Sequence, residues 1–116
     1  MIPEALDTVE RVMAADFWQE ALAAEERAVE VPFAVTVPAG NAPPTLLHGV
    51  IDLAYRTRDG WTLIDYKTDQ LTAGLDALTA RYAPQIRAYA DRWSAQLGAP
   101  TRAGLHFIRS GDTRWL

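Results

Sequence analysis

Two stretches, Leu46-Leu-His-Gly-Val-Ile-Asp-Leu-Ala-Tyr55 and Trp61-Thr-Leu-Ile-Asp-Tyr-Lys-Thr68, decide how this chain folds. Both are rich in β-branched and aromatic residues and predict strands. Between them lies Arg56-Thr-Arg-Asp-Gly60, whose Asp59-Gly60 pair signals a hairpin. Alternation puts Val50, Asp52 and Ala54 on one face of the first strand, and Trp61, Leu63, Asp65 and Lys67 on one face of the second. An even-numbered loop aligns these faces. Both natural choices, the two-residue loop Asp59-Gly60 and the four-residue loop Thr57 to Gly60, are even. Asp52, Asp65 and Lys67 are therefore expected to meet on one side of a sheet.

Such a meeting is costly among Val50, Ala54, Trp61 and Leu63, because two carboxylates in apolar company repel each other unless positive charge lies between them. Lys67 supplies one charge and leaves the group net negative. That arrangement suits a hard divalent cation bound through oxygen, with the Tyr66 carbonyl as the backbone donor. Magnesium fits, because two carboxylates, one carbonyl and several waters complete its octahedron. Phosphodiester hydrolysis is the chemistry the grouping points to, with lysine better suited than arginine to orient a nucleophile or stabilise charge.

Working outward, residues from about Pro3 to Glu26 read as helical, with Leu6, Val9, Met13, Phe17 and Leu22 near helical spacing. Asp16 and Gln19 form a capping-box pattern that divides this stretch near Ala15; one bent helix is the alternative. Val29 to Val37 alternates as a strand, and Pro32 places it at an edge or a bulge. Pro38 to Thr45 reads as a loop, as does Asp69 to about Leu75. Leu78 to Leu97 has helical periodicity, with Tyr82, Gln85, Ile86, Tyr89, Trp93 and Leu97 on one face. Pro84 argues for a start near Tyr82 or Ala83, and Gly98 for the stop. Ala103 to Arg109 is a strand, Ser110 to Thr113 a turn, and Arg114 to Leu116 a strand stub. Antiparallel strands followed by a helical crossover predict a mixed sheet with helices on its faces.

The composition narrows the function classes. A chain of 116 residues with 49% hydrophobic and 22% charged residues is expected to be one soluble domain, without repeats or linkers. No apolar run approaches the roughly 18 to 20 residues that span a bilayer, and Met1 to Glu10 lacks signal-peptide character, so a cytoplasmic protein with no membrane partner is expected. The absence of cysteine excludes disulfide scaffolds, thiol nucleophiles and thiolate-bound zinc. The net charge of −4 gives no global attraction to nucleic acid. Ten of the eleven basic residues are arginine, and the exception is Lys67.

The ordered set His48-Gly-Val-Ile-Asp52, Trp61-Thr-Leu-Ile-Asp65-Tyr-Lys67-Thr and Tyr82-Ala-Pro-Gln85-Ile-Arg-Ala-Tyr89 resembles the PD-(D/E)XK nuclease domain of the RecB/AddA type. In that type a G-x-I-D strand, a D-x-K strand and a Q-x-x-x-Y helix follow in this order, and Glu30-Val-Pro-Phe33 resembles its upstream E-x-P-F segment. The resemblance covers about Glu30 to Leu97. It implies an α/β fold with a restriction-endonuclease-like core, a mixed β-sheet flanked by helices. It further implies Asp52 and Asp65 as metal ligands, Lys67 as the catalytic lysine, and Gln85 and Tyr89 as residues that support the site or contact DNA. The activity implied is a magnesium- or manganese-dependent deoxyribonuclease in double-strand-break end processing. The partners implied are DNA and a UvrD-like helicase portion, in the same or a partner chain. Residues 1–116 then read as a single nuclease-like domain, the C-terminal fragment of a longer helicase-nuclease.

One departure stands out. An earlier helix of the family usually adds a further acidic or histidine ligand, and no Gly-x-x-x-His pattern precedes Glu30. Glu10, Glu20 and Glu30 are the alternatives. His48 lies on the Asp52 side by parity, His106 reads as structural, and Arg81, Arg87 and Arg92 form either a solvated face or a phosphate-contacting stripe. A second functional reading is a catalytically incomplete nucleic-acid-binding or docking module of a helicase complex.

Overall fold

Five strands form one mixed sheet in the order β1-β2-β3-β4-β5, comprising Glu26–Ala39, Ala42–Thr57, Gly60–Lys67, Thr101–Phe107 and Asp112–Trp115. The computed structural model describes residues 12–69 and 71–116. Neighbouring strands are antiparallel except β3 and β4, which run parallel. Parallel neighbours need a long crossover, and helix α2 (Leu75–Leu97) supplies it. Helix α1 (Asp16–Leu22) covers the opposite face. The expected α/β architecture, a mixed sheet with flanking helices, is what forms.

The two faces divide the core. On one, Leu78, Ile86, Tyr89 and Ala90 of α2 pack against Ile51, Ala54, Leu63, Ala103, Leu105 and Phe107. On the other, Phe17 and Ala21 pack with Leu53, Tyr55, Ile64 and Ile108. Strand β4 is buried on both faces from Ala103 onward, as expected of a strand paired on both edges between two helical layers. His106 sits within it, fully buried and edge-on to Phe17, its Nδ1 2.8 Å from Thr113 Oγ1.

Several boundaries differ from those expected. Val12 and Met13 are helical, the chain breaks at Ala14 and Ala15, and α1 ends at Leu22, so Glu26 already belongs to β1. The N-cap of α1 is Ala15 with no side-chain cap, so Asp16 lies in the first turn and makes no capping box. The expected helix between residues 3 and 11 and the candidate Glu10 lie outside the described residues. The loop expected from Pro38 to Thr45 shrinks to a turn at Gly40 and Asn41. Pro43 and Pro44 are tolerated in β2 because they fall at the register shift between Val37↔Thr45 and Ala39↔Ala42, where no ladder donor is required. Strand β1 is an edge strand, consistent with Pro32.

The crossover helix begins at Leu75, well before Pro84, so this proline is interior. Its missing N–H deprives the Ala80 carbonyl of a partner, but Ala80 and Pro84 are both exposed, and water can take the bond. Gly98 closes the helix in the left-handed region (φ 64°), its N–H donating to Ser94 O at 2.8 Å. Leu97, expected on the core face, is 52% exposed. Among the described residues no helix is long and apolar enough to cross a membrane.

Candidate active site

The β2–β3 hairpin closes at Thr57↔Gly60 around Arg58 and Asp59, one residue earlier than the Asp59-Gly60 turn expected. The loop is still even-numbered, so the parity holds: Ala54 faces Leu63, and the ladder ends at Leu53↔Ile64. Beyond that rung the strands part. β2 continues along β1 through Ile51↔Val31, while β3 continues along β4 to Lys67↔Phe107. The next rung would have paired Asp52 with Asp65, so both acids stand at the mouth of the split.

Asp52 partly replaces that lost rung. Its Oδ2 accepts the Tyr66 backbone N–H at 2.7 Å. Since the N–H and C=O of one strand residue point to the same side, the Tyr66 carbonyl opens into the same split. The β1–β2 ladder also skips a pair here, between Val29↔Leu53 and Val31↔Ile51. Glu30, opposite Asp52, has φ 52°. The two strands exchange faces across this point: Ile51 and Ala54 pack on the α2 side, whereas Val50 is 51% exposed. The strict alternation that grouped Val50 and His48 with Ala54 therefore fails at Asp52, and His48 is exposed.

Asp65 and Lys67 remain on the expected face. Lys67 Nζ lies 2.9 Å from Asp65 Oδ2, with about a fifth to a quarter of each side chain exposed. Asp65 lies close enough to Asp52 to affect its proton, and the Asp52 carboxyl is pushed up to about 7. Burial is the main cause, followed by the proximity and charge of Asp65; the Tyr66 N–H and Lys67 act in the opposite direction. The Tyr66 hydroxyl is pushed up to about 12 by burial and by the Asp52 charge.

The acids open to different recesses. Asp65 and Lys67 line a pocket of about 220 Å³ with Gly49, Tyr82, Gln85 and Tyr89. Asp52 lines a groove of about 660 Å³ with Trp18, Leu22, Val29, Glu30 and Tyr66. Gln85 is exposed and its Nε2 donates to Tyr89 Oη at 2.8 Å, while Tyr89 is 4% exposed, its ring centre 5.0 Å from that of Phe33. Glu20 is engaged elsewhere, accepting from Arg102 at 2.6 Å and from Tyr55 Oη at 3.1 Å. Arg81, Arg87 and Arg92 are exposed on α2.

Gly49 and Tyr82, the latter with Asp69 behind it, shape the pocket. A Cβ at Gly49 would lie 2.9 Å from Tyr89 Oη and 3.4 Å from Gln85 Nε2, so glycine allows α2 to approach β2. A glycine within a strand pattern is itself a signal of such close approach. The Lys67 ammonium lies 4.0 Å from the centre of the Tyr82 ring, whose hydroxyl donates to Asp69 Oδ2 at 2.6 Å. Sequence spacing put Tyr82 on the common face of its helix and Asp69 in a loop, and gave no sign of this link.

The donor set fits a hard divalent cation: two carboxylates in contact, one carbonyl facing them, and one ammonium that leaves net negative charge. Among the described residues no cluster of three or more His, Asp or Glu side chains is present, so a third acidic ligand is not assembled here.

The sequence profile of the PD-(D/E)XK nuclease superfamily matches residues 2–114. Three similar relatives each carry the name of an ATP-dependent helicase/nuclease subunit. The protein from Lactiplantibacillus plantarum is 42% identical over 69 residues, covering 53% of this chain and 5% of its own length. That from Desulforamulus reducens is 34% identical over 98 residues, covering 77% of this chain and 8% of its own length. That from Levilactobacillus brevis is 31% identical over 104 residues, covering 78% and 8% respectively. The chain thus spans less than a tenth of the length of these relatives.

Proposed function

We propose that this chain, which belongs to the PD-(D/E)XK nuclease superfamily, is a metal-dependent deoxyribonuclease domain that hydrolyses phosphodiester bonds in double-strand-break end processing. The reading is carried by the contact of Asp52 with Asp65, and of Asp65 with Lys67, where β2 and β3 part. Asp52, Asp65 and the Tyr66 carbonyl would hold the cation, and magnesium or manganese suits this oxygen set. A cation so held would supply Lewis-acid chemistry at the scissile phosphate.

The chain's own groups do the rest. Lys67 presents its ammonium to the pocket, where it binds a phosphate oxygen and stabilises developing charge. The exposed Gln85 amide carries the DNA contact, and the buried Tyr89 hydroxyl orients it. Glu30 is the additional acidic group available in the groove that Asp52 lines. The relatives' name joins helicase to nuclease. It supports a UvrD-like helicase portion, in the same or a partner chain, as the source of the DNA strand. Residues 1–116 are then a single nuclease-like domain belonging to a longer helicase-nuclease.

Cleavage of linear DNA by the intact protein with magnesium tests this reading. Asp65→Ala should abolish cleavage and leave the melting temperature nearly unchanged; cleavage at the unaltered rate would overturn the assignment. The net charge of −4 favours a second reading, a catalytically incomplete nucleic-acid-binding or docking module of a helicase complex. Magnesium binding without cleavage would support that reading.

A further inference from the structure

Lys67 carries a compact charge on a flexible stem, so its placement depends on what touches the ammonium. Among the described residues two groups do: Asp65 Oδ2 at 2.9 Å and the Tyr82 ring at 4.0 Å from its centre. The second distance is well inside the roughly 6 Å over which a ring face attracts a cation. The ring is itself fixed at both ends. Its backbone belongs to α2, and its hydroxyl donates to Asp69 Oδ2 at 2.6 Å, a short charge-assisted bond. Asp69 lies two residues beyond Lys67, so this bond ties the segment leaving β3 to the helix that walls the pocket.

The two contacts differ in one respect. An Asp65 carboxylate engaged by a cation holds the ammonium less strongly, whereas the ring face is unaffected by that engagement. We propose that Tyr82 is a positioning residue: its ring face holds the Lys67 ammonium in the pocket, and the hydroxyl bond to Asp69 is a secondary support. The consequence for catalysis rests on the nuclease reading; the placement rests on geometry alone.

The single lysine makes the test direct, because carbon-13-labelled lysine gives one set of side-chain resonances in the 116-residue chain. With the ammonium over the ring, the Lys67 ε-protons should resonate upfield of their random-coil position. The shift should survive magnesium addition and Tyr82→Phe, and vanish in Tyr82→Leu, which keeps apolar bulk without a π-face. In the intact nuclease, Tyr82→Leu should lower kcat about tenfold with KM for DNA unchanged, and Tyr82→Phe should stay within about threefold of the unaltered protein.

Random-coil ε-protons in the unaltered chain would overturn the proposal, as would a Tyr82→Phe enzyme as slow as Tyr82→Leu. If Tyr82→Leu does not fold, the unaltered chain and Tyr82→Phe still give the decisive shift. An upfield shift in a protein that cleaves no DNA supports the placement and counts against the nuclease reading instead.

Discussion

The Asp52 carboxylate accepts the Tyr66 backbone N–H at 2.7 Å, one step past the last rung that joins their strands. A side chain thus takes over where a main-chain carbonyl would have bonded had β2 and β3 stayed together. The same carboxylate meets Asp65, so the divergence of the sheet and the assembly of the acidic pair have one cause.

Asp52 titrates in the folded chain at about 7, against 3.8 when unperturbed, so the folded state favours the protonated form. Its contribution to stability is complete below pH 3.8 and is lost as pH rises through about 7. Without divalent metal, the melting temperature of the chain should therefore fall relative to that of Asp52→Asn as pH rises from about 4 to 8. Thermal melts of both proteins across this range check the sign; a difference that does not vary with pH would refute it.

His106 responds in the opposite sense. Burial lowers its affinity for a proton from the ordinary value of 6.5, and the nearby Asp112 charge only partly opposes this. The neutral imidazole is the folded form, so stability is complete above 6.5 and lost as pH falls through the lower folded value. His106→Gln should flatten the acid limb of the melting curve. An unchanged slope would mean that His106 is not its source.

Gly49 is expected to be intolerant of a methyl group because Tyr89 Oη would lie 2.9 Å from it. Gly49→Ala should destabilise the chain by about 1–3 kcal/mol, the usual cost of overpacking. Tyr89→Phe removes the clashing oxygen, and the ring carbon behind it lies 3.9 Å away. The double variant should therefore be more stable than the sum of the single changes implies, which denaturant unfolding measures. Strict additivity would contradict the contact.

Pro84 sits inside α2 with its lost hydrogen bond on the solvent face. Pro84→Ala restores a donor for Ala80 O and should raise stability by about 1–3 kcal/mol without altering the pocket. A lowered melting temperature would show that the proline ring makes a contact the helix needs.

Much of the site was legible because it depends on parity. Moving the turn from Asp59-Gly60 to Arg58-Asp59 leaves the loop even-numbered, so the direct partner of Asp52 changes from Lys67 to Asp65 while the two acids still fall at the same end of the hairpin. Lys67, as the lone lysine two residues on, was equally visible. Period-two alternation carries no sign of the face exchange at Glu30 and Asp52, and it misplaced Val50 and His48. The early start of α2 was hidden by Pro84, whose cost depends on whether Ala80 O faces water, a tertiary fact. The Tyr82 ring over Lys67 and the Tyr89 hydroxyl over Gly49 depend on how closely α2 docks, which neither helix nor strand periodicity encodes.

Calorimetric titration of the chain with magnesium near pH 7, in buffers of different ionisation heat, tests whether Asp52 and Asp65 together hold a cation. Binding accompanied by proton release is expected, because Asp52 retains part of its proton near its folded value of about 7. Asp65→Asn should abolish the binding heat, and Asp52→Asn should weaken binding and remove the proton release. Undiminished magnesium binding by Asp65→Asn, or none by the unaltered chain, would contradict the assignment of these two acids as a metal site.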